Sequence, residues 1–160
     1  MKVLYAVSEA KPFIASGGLG DVAGSLPIAL RKRLIGCRVV MPLYDGIPEK
    51  FKAEMKFITH ITVPVAWRRQ YCGIFEAKYN GVIYYFLDNQ YYFKRQGIYG
   101  HYDDAERFAF FSRAVLEIIP YIDLLGNTEI KLLSGDHYIF EQKPDELTRI
   151  IKDYINDLDK

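Results

Sequence analysis

Four glycines, Gly17, Gly18, Gly20 and Gly24, fall close together in the stretch "PFIASGGLGDVAGSLPIAL". A glycine-rich turn between a strand and a helix lets the backbone approach a ligand closely and accepts positive φ. It also leaves unpaired N–H groups at the start of the helix, where the macrodipole favours a phosphate or another anion. The mechanical alternative is that the glycines only permit tight packing of helix on strand. Local chemistry leaves both readings open. The spacing does exclude two familiar phosphate binders: it is not G-x-G-x-x-G, and no Gly-Lys-Ser/Thr follows as in a Walker loop. The two cysteines, Cys37 and Cys72, show no C-x-x-C spacing and no nearby ligand cluster. They read as buried reduced thiols, and no metal site is expected.

The elements that must position this loop are legible around it. "VLYAV" is a nearly continuous apolar run, as expected of a parallel strand covered on both faces. Asp21 to Leu34 carries Val22, Leu26, Ala29, Leu30 and Leu34 near helical spacing, with Pro27 inside it as a source of a kink. "CRVVMPLY" follows as a second strand, completing a βαβ unit. The middle of the chain alternates polar and apolar residues. Strands are expected at 56–65, 70–79 and 82–87, with a hairpin at Asn80-Gly81. "DDAERFAFFSRAVLEIIPYI" reads as a helix capped by Asp103 or Asp104, with Phe108, Phe111, Val115, Ile118 and Ile119 facing inward and Pro120 ending it. "EIKLLS" and "KPDELTRIIKDYINDL" read as a last strand and helix. The expected fold class is α/β: a three-layer, Rossmann-like domain with a central, mainly parallel sheet and an inserted β-hairpin region.

At 160 residues the chain suits one domain with a real core. With 21 basic against 20 acidic residues, bulk charge gives no reason to expect nucleic acid or an anionic membrane as a partner. The amino-terminal run is too short and polar for a signal peptide and nothing approaches a membrane span, so a cytoplasmic location is expected. The 13 Tyr and 10 Phe are concentrated in the middle of the chain. The runs Tyr84, Tyr85, Phe86 and Tyr91, Tyr92, Phe93 could form a ledge for stacking sugars, although strand alternation sends about half of such rings into a core.

The residues resemble a specific family. "KVLYAVSEAKPFIASGGLGDVAGSLPIAL", then "RVVMPLY", then "DNQYYFKRQGIYGHYDDAERFAFFSRAVLEIIP" are similar, in order, to the amino-terminal part of bacterial glycogen synthases and plant starch synthases. The resemblance covers residues 2–120. It implies half of a GT-B glycosyltransferase, a metal-independent enzyme without a cofactor, which moves glucose from ADP-glucose to an α-1,4-glucan with retention of anomeric configuration. It also implies that Gly17, Gly18, Leu19 and Asp21 lie near the donor, that Tyr99 stands near the active site, and that Asn89, Phe93 and Arg95 belong to the motif before it. For Asn89 and Arg95 the competing roles are turn formation and a surface ion pair; for Phe93 it is core packing. Asp21 and Tyr99, with Asp136 further on, are the candidates for a catalytic role.

The sequence departs from that family in two places. The family's loop lysine falls at position 15, where this chain has Ala15, and Lys11 stands four residues earlier across Pro12. Beyond residue 121 the Asp-Trp-His motif is replaced by Asp136-His137, and a nucleotide-binding domain is not expected. The segment 122–160 instead resembles the strand, histidine and closing helix of α/β-hydrolases. No G-x-S-x-G elbow precedes it that would give His137 a serine to activate. Residues 1–121 are therefore expected to be the synthase-like part and 122–160 a tail completing the same domain, as in a truncation or chimera. On this reading the chain alone lacks transfer activity and holds glucan weakly, and apolar surface left by a missing partner domain favours self-association. An engineered scaffold without a ligand is the alternative.

Overall fold

The computed structural model describes residues 2–122. The expected strand and helix at 129–134 and 143–158, and with them Asp136 and His137, lie outside the described residues.

Among the described residues five strands form one sheet: β1 (Lys2–Ala6), β2 (Gly36–Pro42), β3 (Lys56–Val65), β4 (Arg68–Tyr79) and β5 (Val82–Asp88), in the order β1-β2-β5-β4-β3. The first, second and fifth run parallel, while β4 and β3 extend the sheet antiparallel. The sheet is thus mixed, and the hairpin region is its continuation rather than a separate layer. Asn80 and Gly81 both have positive φ (46° and 78°), the conformation that a two-residue hairpin turn requires. The turn between β3 and β4 uses Ala66 at φ 51° and presents Trp67 to solvent, 87% exposed.

The centre of the core is β2 and β5. Val39, Val40 and Met41, and Tyr84 through Leu87, are all fully buried. Successive residues point to opposite faces, so both faces of these strands are covered. Phe13, from the glycine loop, packs edge-on against Tyr84, Phe86 and Phe51. By contrast β1, expected to be covered on both faces, is only half-buried, because among the described residues it pairs with β2 alone.

Among the described residues four helices accompany the strands: α1 (Gly18–Lys32), α2 (Glu49–Lys52), and, after β5, α3 (Gln90–Phe93) and α4 (Asp104–Glu117), the last followed by a 3-10 turn at Ile119–Tyr121. The inward face of α1 differs from the expected one. Ala23 and Pro27 are buried, whereas Val22, Leu26, Ala29 and Leu34 are exposed. Leu34 is not in the helix. It sits at φ 63° directly after the helix cap, its N–H donating to the Arg31 carbonyl while Ile35 N–H donates to the Leu30 carbonyl. That pair of bonds is the Schellman closure that glycine usually provides. In α4 the buried face is Arg107, Phe110, Phe111 and Ala114, continued by Ile118, with Phe108, Val115 and Ile119 only half-buried. The aromatic ledge is corrected as well: Tyr84, Tyr85, Phe86, Tyr92 and Phe93 are fully buried, and Tyr91 alone of the six reaches solvent.

Cys37 and Cys72 are buried and free, and burial pushes their thiols up to about 11 and about 12. No helix among the described residues is long and apolar enough to cross a membrane.

Candidate functional site at the carboxyl edge of the sheet

In an open α/β sheet, ligands are met at the carboxyl ends of parallel strands, and the glycine loop lies there, between β1 and α1. The structure separates its glycines into two kinds. A Cβ on Gly20 would lie 2.3 Å from the Ala15 Cβ, and one on Gly24 would lie 2.6 Å from the Lys11 carbonyl oxygen. These two are packing glycines: they let α1 lie against the chain at 11–15, where Lys11 N–H also donates to the Gly20 carbonyl at 2.9 Å. Gly17 and Gly18 are different. Nothing among the described residues comes within 4 Å of a Cβ placed on either. Gly17 is extended (φ −167°), so neither positive φ nor packing calls for glycine there. No side chain caps α1; its Gly20 N–H turns back to the Gly17 carbonyl at 3.2 Å, and a helix start leaves its earlier N–H groups without an intrahelical partner.

The loop is braced from below by Glu9. Its carboxylate is buried and accepts from both the backbone N–H and the hydroxyl of Ser16, the latter at 2.8 Å. Next to it, the Ser8 hydroxyl and the Tyr99 phenol share a hydrogen bond of 2.6 Å. This joins the segment at 98–101 to the end of β1. Burial raises the Tyr99 phenol above its ordinary value; the bond to Ser8 lowers it, and the charges of Glu9 and Asp104 raise it again. The Tyr99 ring rests on Phe108 of α4, centroids 5.7 Å apart.

Arg107 sets the position of this segment. It is fully buried, donating from Nε to the Tyr92 carbonyl at 2.7 Å and from Nη1 to the Ile98 carbonyl and the Asp104 carboxylate. Asp104 in turn accepts from the backbone N–H groups of Gly100 and His101. One Arg107 nitrogen, Nη2, and the Tyr44 hydroxyl are buried without a partner. The Tyr44 phenol is raised by burial first, then by Tyr99, with Arg107 opposing and Glu9 and Asp104 adding. Glu9, Tyr44, Tyr99, Asp104 and Arg107 thus lie near enough for their charges to act on one another.

The structure thus ties Tyr99 to Ser8, the neighbour of the Glu9 that holds Ser16 at the entrance to the Gly17–Leu19 loop. Asp21 stands in the first turn of α1, its carboxylate 2.6 Å from Lys11 Nζ, with both side chains largely exposed. Ala15 is half-buried under Gly20. Asn89 and Arg95 are engaged elsewhere. Asn89 Oδ1 accepts from Tyr92 N–H at 3.0 Å, capping α3, while Nδ2 donates to the Tyr71 carbonyl at 2.8 Å. Arg95 grips Asp103 with two nitrogens, at 2.6 and 2.9 Å, and donates from Nε to the Tyr91 carbonyl. Phe93 packs on Tyr44 and Phe110 in the core. Among the described residues no group of three or more His, Cys, Asp or Glu could hold a metal ion.

Sequence reasoning passed over Ser8, Glu9, Tyr44 and Arg107, and weighed Asp104 only as an alternative to Asp103 for capping α4; Asp103 takes the cap position without a side-chain bond to the helix. Two of them carried a signal. Glu9 is an acid directly after a buried strand and before the loop, and Arg107 is a cation on the apolar stripe of α4, three and four residues from Phe110 and Phe111.

The profile described as "Starch synthase catalytic domain" matches residues 2–132. The chain belongs to the starch synthase catalytic domain family. Glycogen synthase from Geobacillus stearothermophilus is 60% identical over 122 residues, covering 76% of this chain and 25% of that protein. Glycogen synthase from Alkaliphilus metalliredigens is 58% identical over 123 residues, 77% of this chain and 26% of that one. Among solved structures, the catalytic domain of Starch Synthase IV from Arabidopsis thaliana, bound to ADP and acarbose, superposes with a TM-score of 0.69 at 28% identity, over 74% of this chain and 25% of that one. This member of the starch synthase family spans about a quarter of the length of these relatives. The matched fold is one α/β half of a GT-B enzyme, a glycosyltransferase of the glycogen and starch synthase kind.

Proposed function

We propose that this chain supplies one wall of the cleft in which a glycogen or starch synthase transfers glucose from ADP-glucose to an α-1,4-glucan. The observation that carries the reading is the division among the glycines: Gly20 and Gly24 are required by packing, while Gly17 and Gly18 face open space at an uncapped helix start. Helix-start amides stabilise the negative charge of a diphosphate without any metal. Glu9 fixes Ser16, and so the entrance to the loop, while Ser8 holds Tyr99 beside it. The name of the Arabidopsis relative, bound to ADP and acarbose, supports a nucleotide and a sugar as ligands of such a site.

Ala15 weakens this wall. A lysine there would add a charge-assisted contact worth about 1.5–3 kcal/mol. Lys11 does not stand in for it freely, since its ammonium is paired with Asp21. Titration of the 160-residue chain with ADP-glucose, followed by the backbone resonances of Gly17 to Gly20, tests the reading. Weak saturable shifts are expected, and Ala15→Lys should tighten binding by roughly tenfold or more. Silence at the loop in both proteins would refute it. Glucosyl transfer also requires an opposing wall to orient the reactants and exclude water. With ADP-glucose and a glucan primer, this chain by itself is expected to give no chain extension.

A further inference from the structure

Asp21 stands in the first turn of α1, three residues after Gly18 opens the helix. Side chains on a helix lean toward its N-terminus, so this carboxylate is carried back toward the helix start, about one turn from the Gly18 amide. Its charge suits the positive end of the macrodipole, and it also repels any other anion brought to the same amides. Lys11 answers that charge, with Nζ 2.6 Å from Asp21 Oδ1.

The root of Lys11 is fixed while its tip is loose. Its N–H donates to the Gly20 carbonyl at 2.9 Å. Its carbonyl oxygen and its Cβ lie so near Gly24 that a Cβ there would meet them at 2.6 and 3.1 Å. The four-carbon stem therefore rises from a set point against the first two turns of α1. At its other end the pair is open to water, with the Lys11 side chain 59% and the Asp21 side chain 60% exposed. Among the described residues neither charged group has a second partner. Water and salt compete strongly with a pair so placed, which makes it easy to break. The other cations of α1, Arg31 and Lys32, stand in its last turn, about 20 Å along the helix from the loop.

We propose that Lys11 is a phosphate-binding residue held ready by Asp21: its ammonium leaves the carboxylate and pairs with the diphosphate of a sugar nucleotide at the start of α1. This rests on the donor wall proposed above, and it supplies the cation that the wall lacks at Ala15. A diphosphate carries more negative charge than one carboxylate and offers several oxygens to an ammonium with three rotatable donors. The exchange needs only rotation about the stem, since the backbone of Lys11 stays pinned to Gly20 and Gly24. Asp21 is left in water, where a lone carboxylate is well solvated.

ADP titrated into the full chain, with the backbone resonances of Gly17 to Gly20 as the readout, tests the proposal. Lys11→Met should weaken binding about fivefold or more, and Lys11→Arg should stay within about threefold of wild type. Asp21→Asn frees the ammonium and removes a repulsion, so it should tighten binding about twofold or more. Combining the two changes separates transfer from simple screening. If Lys11 reaches the phosphates, Lys11→Met weakens ADP binding in the Asp21→Asn background as much as in the wild type. If Lys11 only cancels Asp21, the methionine has no effect once the aspartate is gone, and that result would overturn the proposal. Wild-type affinity in Lys11→Met alone would do the same. Both side chains are exposed, so the urea midpoint of each variant should match the wild type and loss of fold does not intervene. Ala15→Lys keeps this idea apart from the donor wall. ADP binding by Ala15→Lys, with Lys11→Met leaving the wild-type affinity unchanged, removes the role of Lys11 alone. No response at the loop in wild type, Asp21→Asn and Ala15→Lys removes the donor wall and the role of Lys11 with it.

Discussion

Tyr99 and Ser8, 91 positions apart in the chain, share a hydrogen bond of 2.6 Å between phenol and hydroxyl. It is a direct link between the segment before α4 and the residue pair Ser8-Glu9 that follows β1. A partly exposed bond of this kind contributes about 0.5–1.5 kcal/mol. In a double-mutant cycle, Tyr99→Phe and Ser8→Ala should show a coupling of about 1 kcal/mol by urea unfolding. Strict additivity would mean that the two groups do not meet in solution.

The two kinds of loop glycine should respond oppositely to alanine. Gly20→Ala drives a methyl to 2.3 Å from the Ala15 Cβ and 3.1 Å from its Cα, a clash that only a backbone shift can relieve. A loss of about 1–3 kcal/mol in chemical denaturation is expected. Gly18→Ala meets open space, so stability should stay within about 0.5 kcal/mol of wild type. Its expected defect is in ADP-glucose binding, because the methyl enters the space in front of the helix amides. Equal stability losses at the two positions would contradict this division.

Leu34 adopts φ 63° while fully accessible to water, at 94% exposure. The left-handed conformation costs a branched residue about 1–2 kcal/mol and glycine almost nothing. Part of that gain is lost to the greater freedom of glycine in the unfolded chain. Leu34→Gly should therefore raise the urea midpoint, by a net of about 0.5–1 kcal/mol. A fall in stability would show that the leucine side chain is packed in solution.

The Arg95–Asp103 pair should give stability a definite dependence on pH. The hydrogen bonds from Arg95 are the main cause holding the Asp103 carboxyl below its ordinary value. A carboxyl whose folded pKa is depressed stabilises the fold fully above its unfolded value, near 3.9, and loses that contribution as pH falls through the folded value. At neutral pH, Arg95→Ala should cost about 1.5–3 kcal/mol, since Asp103 is nearly buried. The difference between variant and wild type should shrink below about pH 4. Measuring both proteins by urea unfolding from pH 7 to pH 3 checks the sign; a difference that grows on acidification would reverse it.

Local chemistry was enough wherever a residue's own backbone preference decided the outcome. Asn80-Gly81 specified a two-residue turn because both positions need positive φ, and β3 runs over Lys56–Val65 as its alternation suggests. The parallel β1–α1–β2 unit and its glycine loop followed from the order of apolar runs, and the three motifs placed the family. Phe93 was correctly weighed as a core residue.

Other features were decided by contacts remote in sequence. On α1, Val22–Leu26 and Ala23–Pro27 both fit helical spacing. The helix turns the second pair inward because Gly20 and Gly24 must lie against residues 11–15, where any side chain would collide. The burial of Arg107 depends on partners of its own. A charge on an apolar stripe is costly until carbonyls arrive to meet it, and those of Tyr92 and Ile98 come from another part of the chain. Asn89, whose cap of α3 is local, is likewise tied to β4 by a remote partner, the Tyr71 carbonyl 18 positions away. The sequence by itself determined the β1–α1–β2 unit, the strands of the hairpin region and helix α4, since backbone sterics and apolar periodicity act within a few residues, while the short helices α2 and α3 left no such periodicity. The tertiary structure alone decided which glycines face open space and which side chains surround them, because burial and hydrogen-bond partners are properties of the packed chain.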